Sequence, residues 1–231
     1  LFSNWQQYAP PGSNRDQVAD FVASQTPSPL LWSDVEAFRR LWPGNLVLKG
    51  IMHPDDAARA AALGVDGVMV SNHGARQLDC APSPIEVLPA IHADLGGQAL
   101  DVIATGASIG AFNAVAVLCR YPDVFSAAIG MSGSYRIERF YDEAWSQDLY
   151  FSAPLQFVPG LDGPQLDTLR GRFAVLASGE GDWENIGESW RMAEVLGARG
   201  IPNRVDNWGP QWPHEWPTWH RMLPQYLREL T

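Results

Sequence analysis

The chain has 231 residues, enough for one large domain or two small ones, and 46% of them are hydrophobic, enough to build a core. Sixteen Lys and Arg against 26 Asp and Glu leave a net charge of -10, which argues against nucleic acid and anionic membranes as partners, since cationic contacts to phosphates hold both. No apolar run approaches the ~20 residues that span a bilayer, and no basic-then-apolar leader opens the chain, so a soluble protein is expected. The chain begins on Leu1 rather than Met, as a processed or truncated piece would. Cys80 and Cys119 are too few for a disulfide framework and read as buried or semi-buried thiols of a reducing compartment, which points to the cytoplasm.

In chain order, a Pro-containing opening, YAPPGSN, precedes a helix predicted near Arg15 to Ser24. After a TPSP break a second helix is predicted over Ser33 to Leu41, with Ser33 as cap and Glu36 closing a capping box. Beyond Pro43-Gly44 strands and helices alternate: strand LVLKG, helix HPDDAARAAALG with Pro at its start, strand VDGVMVS, helix Pro84 to Asp94, strand Asp101 to Thr105, helix Ser108 to Arg120 and strand FSAAIGMSG. The stretch Ser134 to Arg170, with Pro154, Pro159, Pro164 and many aromatics, reads as irregular, and its part up to Gly163 is a candidate lid or substrate wall. Strand RFAVLASG, helix Glu188 to Arg199, short strand NRVDNWG and a closing helix Trp216 to Leu230 complete the pattern. This alternation predicts an α/β fold: a mostly parallel sheet with helices on both faces, right-handed crossovers, and functional loops at the carboxyl ends of the strands.

The segment DVIATGASIGAFNA (residues 101–114) runs a strand through Gly-x-Ser-x-Gly directly into a helix. Such a turn lifts a serine hydroxyl above the sheet while glycines permit the close backbone approach, so Ser108 is a candidate nucleophile. A serine nucleophile needs a histidine to take its proton and a carboxylate to orient that histidine, in the chain order serine, acid, histidine. Downstream lie only His214 and His220. His214 follows the last strand in a Pro- and Trp-rich loop, where a base belongs, while His220 falls inside the closing helix. The loop SGEGDWEN offers Glu180, Asp182 and Glu184 as acids, and the pattern alone does not choose among them.

From about Ile91 onward the chain resembles the esterase family of α/β hydrolases that includes enterochelin-esterase-like and polyhydroxybutyrate-depolymerase-like proteins. The resemblance rests on TGASIGAFNAVAVLCRYPDVFSAAIGMSGSY, LYFSAPLQFVPGL, VLASGEGDWEN, GIPNRVDNWG and HEWPTWHRMLPQYL. It implies Ser108 as nucleophile, His214 as base and Asp182 or Glu184 as acid, with Trp183-Glu184 matching a glutamate that follows Trp in this loop. The family often has His-Asp-Trp-Pro where this chain has His214-Glu215-Trp216-Pro217. The implied reaction is acyl transfer from a small-molecule ester to water, without cofactor or metal. The oxyanion would be held by the N–H of Ile109 and by one from the loop Gly50-Ile51-Met52, Ile51 being the candidate.

Earlier, LWPGNLVLKGIMHPDDAARAAALGVDGVMVSNHGARQLDCAPSPIEVLPAI resembles the FMN-dependent 2-hydroxy-acid dehydrogenases and oxidases, which are TIM barrels. In that family the strand lysine contacts the flavin, and the His and Arg of SNHGGRQLD act as base and substrate clamp. They match Lys49, His73 and Arg76, with Ala75 in place of a glycine. Only the middle of such a barrel is covered, so these three read as inherited residues without flavin chemistry, FMN being the alternative cofactor. The chain therefore reads as a join near IEVLPAI: a barrel-derived fragment over 1–92 and an esterase-like portion over 93–231, packed as one domain. Strands Leu46 to Lys49 and Val65 to Ser71 are expected to take the two sheet positions before the strand that leads into Ser108. The competing functions are a fragment of a flavin oxidoreductase and a non-catalytic α/β domain, and the oligomeric state is left open.

Overall fold

Aliphatic and β-branched runs become strands and small-residue runs become helices, in a computed structural model that describes residues 8–25, 30–75, 80–96, 101–136 and 146–231. The chain divides between Leu100 and Asp101 into two compact units. No helix among the described residues is long and apolar enough to cross a membrane.

The first unit holds α1 (Arg15–Gln25), α2 (Trp32–Leu41), β1 (Val47–Ile51), α3 (Pro54–Ala62), β2 (Gly67–Val70), a 3-10 turn at His73–Ala75, and α4 (Pro84–Asp94). β1 and β2 are parallel, with Leu48 opposite Val68 and a register shift between Lys49 and Ile51. α2 begins one residue earlier than predicted. The Leu31 N–H donates to the Asp34 carboxylate at 2.8 Å, so Asp34 closes the first turn, and Ser33 lies inside the helix rather than capping it. In α4 the capping box is present: the Ser83 N–H and hydroxyl both donate to Glu86 at 2.6 Å. Asp66 fastens α2 to β1, accepting from the Arg39 guanidinium at 2.7 Å and from the Leu46 N–H at 2.8 Å. Those bonds, the Leu46 N–H foremost, hold its carboxyl below the usual range.

The second unit holds β3 (Ile103–Ala107), α5 (Ile109–Arg120), β4 (Ala127–Met131), α6 (Gln147–Ser152), α7 (Pro154–Phe157), a 3-10 turn at Val158–Gly160, α8 (Gly163–Leu169), β5 (Phe173–Ser178), α9 (Ile186–Ala198), β6 (Asn203–Asn207) and α10 (Trp216–Leu230). Among its described residues the stretch expected to be irregular contains three short helices. Pro154 and Pro164 stand in the first turns of α7 and α8, where a missing N–H loses no helical bond, so proline starts these helices instead of breaking them. Phe157 and Val158 of this stretch are buried in the unit's core, and residues 137–145 of the expected lid lie outside the described residues.

The fold class is the expected one, α/β with parallel strands, but the strands fall into two sheets, β1-β2 and β3-β4-β5-β6. Periodicity identifies a strand without naming the edge it pairs with. β4 is buried at every position, as a central parallel strand covered on both faces must be. On one face Ile129, Met131, Val175 and Ala177 pack with Met222 and Tyr226 of α10. On the other, β3 and β4 meet α5. Cys119, inside α5, is buried, and burial pushes its thiol up to about 12. Cys80, in the turn before α4, is exposed, contrary to the reading of both thiols as buried or semi-buried.

One buried carboxylate ties the chain leaving β4 to the start of α9. Glu188, with 2% of its side chain exposed, accepts the N–H groups of Tyr135 (2.9 Å) and Arg136 (2.8 Å) and pairs with the Arg136 guanidinium at 2.6 Å. Burial pushes its carboxyl up, but the Arg136 guanidinium and the two N–H groups outweigh that and hold it below its ordinary 4.5. A carboxyl depressed on folding stabilises fully above its unfolded value and loses that contribution as pH falls through the folded one. Thermal melts are therefore expected to show Tm falling below pH 4.5, with Glu188→Gln flattening that acid limb. At neutral pH the same variant should cost about 1–3 kcal/mol, toward the lower end because Arg136 is 43% exposed.

Candidate active site

Ser108 sits in the bend between β3 and α5 with φ 57° and ψ -120°, a backbone that side chains rarely adopt and that costs about 1–3 kcal/mol. The bend is held from β4, whose Met131 carbonyl accepts the Ser108 N–H at 2.9 Å. It also requires Gly106, since a Cβ there would overlap the Gly110 backbone. The N–H of Ile109, first in α5, has no acceptor within its own helix and makes no backbone hydrogen bond among the described residues.

The acid side is built by three strand ends. Glu184, on the loop after β5, has 1% of its side chain exposed. Its Oε1 accepts the Ser132 hydroxyl at 2.5 Å, and its Oε2 accepts the Ser178 hydroxyl at 3.0 Å. The same Oε2 faces His214 Nδ1 at 3.7 Å, an ion-pair distance rather than a hydrogen bond. Burial pushes the Glu184 carboxyl up, but His214 beside it and the two serine hydroxyls outweigh burial and bring it below the ordinary carboxylate value. A buried carboxylate with three polar partners is thereby kept ionised opposite an imidazole.

His214 is held by backbone and ring contacts. Its N–H donates to the Asp182 carbonyl at 2.9 Å, and its ring lies edge-on to Trp219 with centroids 5.1 Å apart. The Trp219 indole N–H in turn donates to the Ser132 hydroxyl at 2.9 Å. Asp182 is exposed and acts through its carbonyl, while Glu180 is exposed and donates its N–H to the Gly209 carbonyl at 3.0 Å. Of the three carboxylates in this loop, Glu184 faces the histidine. His220 is exposed on α10, beside Trp216 at 5.8 Å between centroids. The loops after β5 and β6 close on each other at Gly179, where any Cβ would overlap the Trp212 carbonyl. Among the described residues the Ser108 hydroxyl makes no hydrogen bond, to His214 or otherwise.

Sequence reasoning missed Ser132, Ser178, Trp219 and Gly179. A serine at the carboxyl end of β4 and another at that of β5 are the available signal, because a parallel sheet delivers such residues to one edge.

The flavin-family residues belong to the first unit. Lys49 is exposed on β1, Ile51 ends β1, and His73 is exposed with φ 57° beside Gly50, whose Cβ would lie 3.0 Å from the imidazole Nε2. Arg76 lies outside the described residues. Both described residues, Lys49 on β1 and His73 in the 3-10 turn after β2, are exposed.

The FMN-dependent dehydrogenase family model matches residues 2–111, a range that runs past residue 92 and through the Ser108 turn. An L-lactate dehydrogenase of Caulobacter vibrioides is 48% identical over 92 residues, covering 40% of this chain and 24% of that protein. The 2-hydroxyacid oxidase 1 of Mus musculus is 46% identical over 86 residues, covering 36% and 23%. The chain thus spans about a quarter of the length of these relatives. Among solved structures, a ferulic acid esterase overlays with a TM-score of 0.50 at 18% identity, covering 79% of this chain and 81% of that one, a likeness of fold.

The close approach at Gly179 predicts a steric contrast between two glycines. Gly179→Ala should destabilise by about 1–3 kcal/mol by forcing the Trp212 backbone away. Gly110→Ala, whose Cβ meets nothing within 4 Å, should be neutral or stabilising by up to about 1 kcal/mol in its helix. Urea unfolding midpoints of the two variants check this.

Proposed function

We propose that the chain is a serine hydrolase that transfers the acyl group of small carboxylic esters to water. One observation carries the reading: the buried Glu184 facing His214 Nδ1 at 3.7 Å, on the sheet edge where β3 delivers Ser108 in a strained turn. Glu184 favours the tautomer with the proton on Nδ1, which leaves Nε2 as the free base. Ser108 Oγ attacks the ester carbonyl carbon as its proton passes to Nε2, and the oxyanion forms beside the Ile109 N–H. The carbon–oxygen bond to the leaving alcohol then breaks, and the alcohol departs with the proton from Nε2. A water gives a proton to the same nitrogen as its oxygen attacks the carbonyl carbon of the acyl-serine; the bond from that carbon to Ser108 Oγ then breaks, Oγ takes the proton back from Nε2, and the acid is released. The Ser108 to His214 bond, absent here, is of the kind that tightens when substrate arrives. Ile51, expected as a second oxyanion donor, belongs to the first unit, which leaves Ile109 as the donor in this mechanism. Lacking a second donor would cost about 10²–10³ in turnover, so a slow enzyme is expected. The fold neighbour's printed name, a ferulic acid esterase, is of the same reaction class. Two free cysteines suit a cytoplasmic setting.

The 48% identity to a lactate dehydrogenase favours a second reading, a flavin oxidoreductase fragment acting on 2-hydroxy acids. Flavin absorbance in the purified protein, with 2-hydroxy-acid oxidation that vanishes in a His73→Ala/Arg76→Ala double variant, would establish that reading. A folded protein that reacts with no ester and no fluorophosphonate would be a non-catalytic domain.

Ser108→Ala should abolish both p-nitrophenyl acetate hydrolysis and fluorophosphonate labelling. His214→Ala should abolish hydrolysis while His220→Ala keeps most of it, and equal losses would refute the assignment of the base. Glu184→Gln should lower kcat by about 10²–10⁴, with Asp182→Asn within a few-fold of the parent.

A further inference from the structure

Ser132 has a backbone that argues against serine and a side chain that argues for it. At φ 51° it occupies the left-handed region, where glycine or asparagine is at ease. Its residue exposure is 3%, and its N–H is committed to the Ala177 carbonyl at 2.7 Å. The hydroxyl is what serine adds. A carboxylate only accepts and an indole N–H only donates, so the single hydroxyl proton points to Glu184 Oε1 at 2.5 Å while the oxygen accepts from Trp219 Nε1 at 2.9 Å. With Oε1 pinned, the carboxylate cannot turn about its terminal bond, and Oε2 stays aimed at His214 Nδ1. With the indole pinned, Trp219 stays edge-on to the same imidazole at 5.1 Å.

We propose that Ser132 is a positioning residue for the acid and the base: one hydroxyl holds both groups packed against His214, the Glu184 carboxylate and the Trp219 ring. The inference rests on the ester-hydrolase reading for its catalytic consequence. It requires Ser132 to act through Glu184, so the two residues should behave as one unit in kinetics.

The test is a double-variant cycle on p-nitrophenyl acetate. Ser132→Gly relieves the left-handed backbone and removes the hydroxyl. It should lower kcat about 10–100-fold with KM within about threefold, and in a Glu184→Gln background it should lower kcat by less than about threefold more. Trp219→Phe, which keeps a ring but not the N–H, should show a smaller loss in the same cycle. Carboxyl NMR on the parent and on Ser132→Gly supplies a readout apart from activity, with the Glu184 titration expected to move to higher pH once a hydrogen bond to its charged form is gone. A kcat for Ser132→Gly within about threefold of the parent, losses that multiply in the double variant, or an unmoved Glu184 titration would each overturn the proposal. A parent that neither hydrolyses esters nor reacts at Ser108 with a fluorophosphonate overturns the esterase reading and the catalytic role of Ser132 with it. The Glu184 titration then still decides whether Ser132 holds the carboxylate.

Discussion

A carboxylate taken out of water must be given partners or it will neutralise, and the buried Glu184 organises the second unit's working edge around that demand. Its partners come from three places: Ser132 after β4, Ser178 at the end of β5, and His214 after β6. They meet because parallel strands all end on one side, so neighbours in the sheet become neighbours at the site. The same geometry brings Ser108 to that edge through its backbone bond to Met131 of β4.

Strain gathers at this edge as well. In the second unit the non-glycine residues with left-handed backbone are Ser108, Ser132 and Trp183, among the described residues. Each stands at a strand's end or in the loop that follows, where the chain must reverse sharply to present a side chain upward. Such conformations persist only when surrounding packing over-determines them. In the same unit Ile129 and Met131 of β4 and Val175 and Ala177 of β5 pack against α10.

The two likenesses of this chain overlap on one supersecondary unit. The match to FMN-dependent dehydrogenases extends to residue 111, so it includes β3, the Ser108 turn and the start of α5, while the esterase resemblance also begins before β3. A strand, a glycine-rich turn and a helix N-terminus can serve either an anion-binding or a nucleophile-presenting role, because both need close backbone approach and unpaired N–H groups. This turn carries a serine at its apex, with Glu184 two strands away in the sheet and His214 three.

The alternation of strand and helix, the turn that displays Ser108, and the position of His214 after the last strand are legible in the sequence, because periodicity, glycine spacing and chain order are local properties. The loop after β5 shows three carboxylates to the reader and no means of choosing. The left-handed backbone at Trp183, φ 66°, turns the chain so that Glu184 goes inward and Asp182 is left with only its carbonyl engaged, and that dihedral has no signature in a tryptophan. Ser132 and Trp219 lie 87 residues apart, and nothing local announces that their side chains share a hydrogen bond. Likewise, patterning marks β1 and β2 as strands but leaves open that they pair in a sheet of two, and prolines that read as breakers prove to start α7 and α8. The sequence by itself determined which elements form and which residue types stand at the strand ends. The tertiary structure decided which side chains meet there, because a contact between distant residues depends on the summed turns of all the backbone between them.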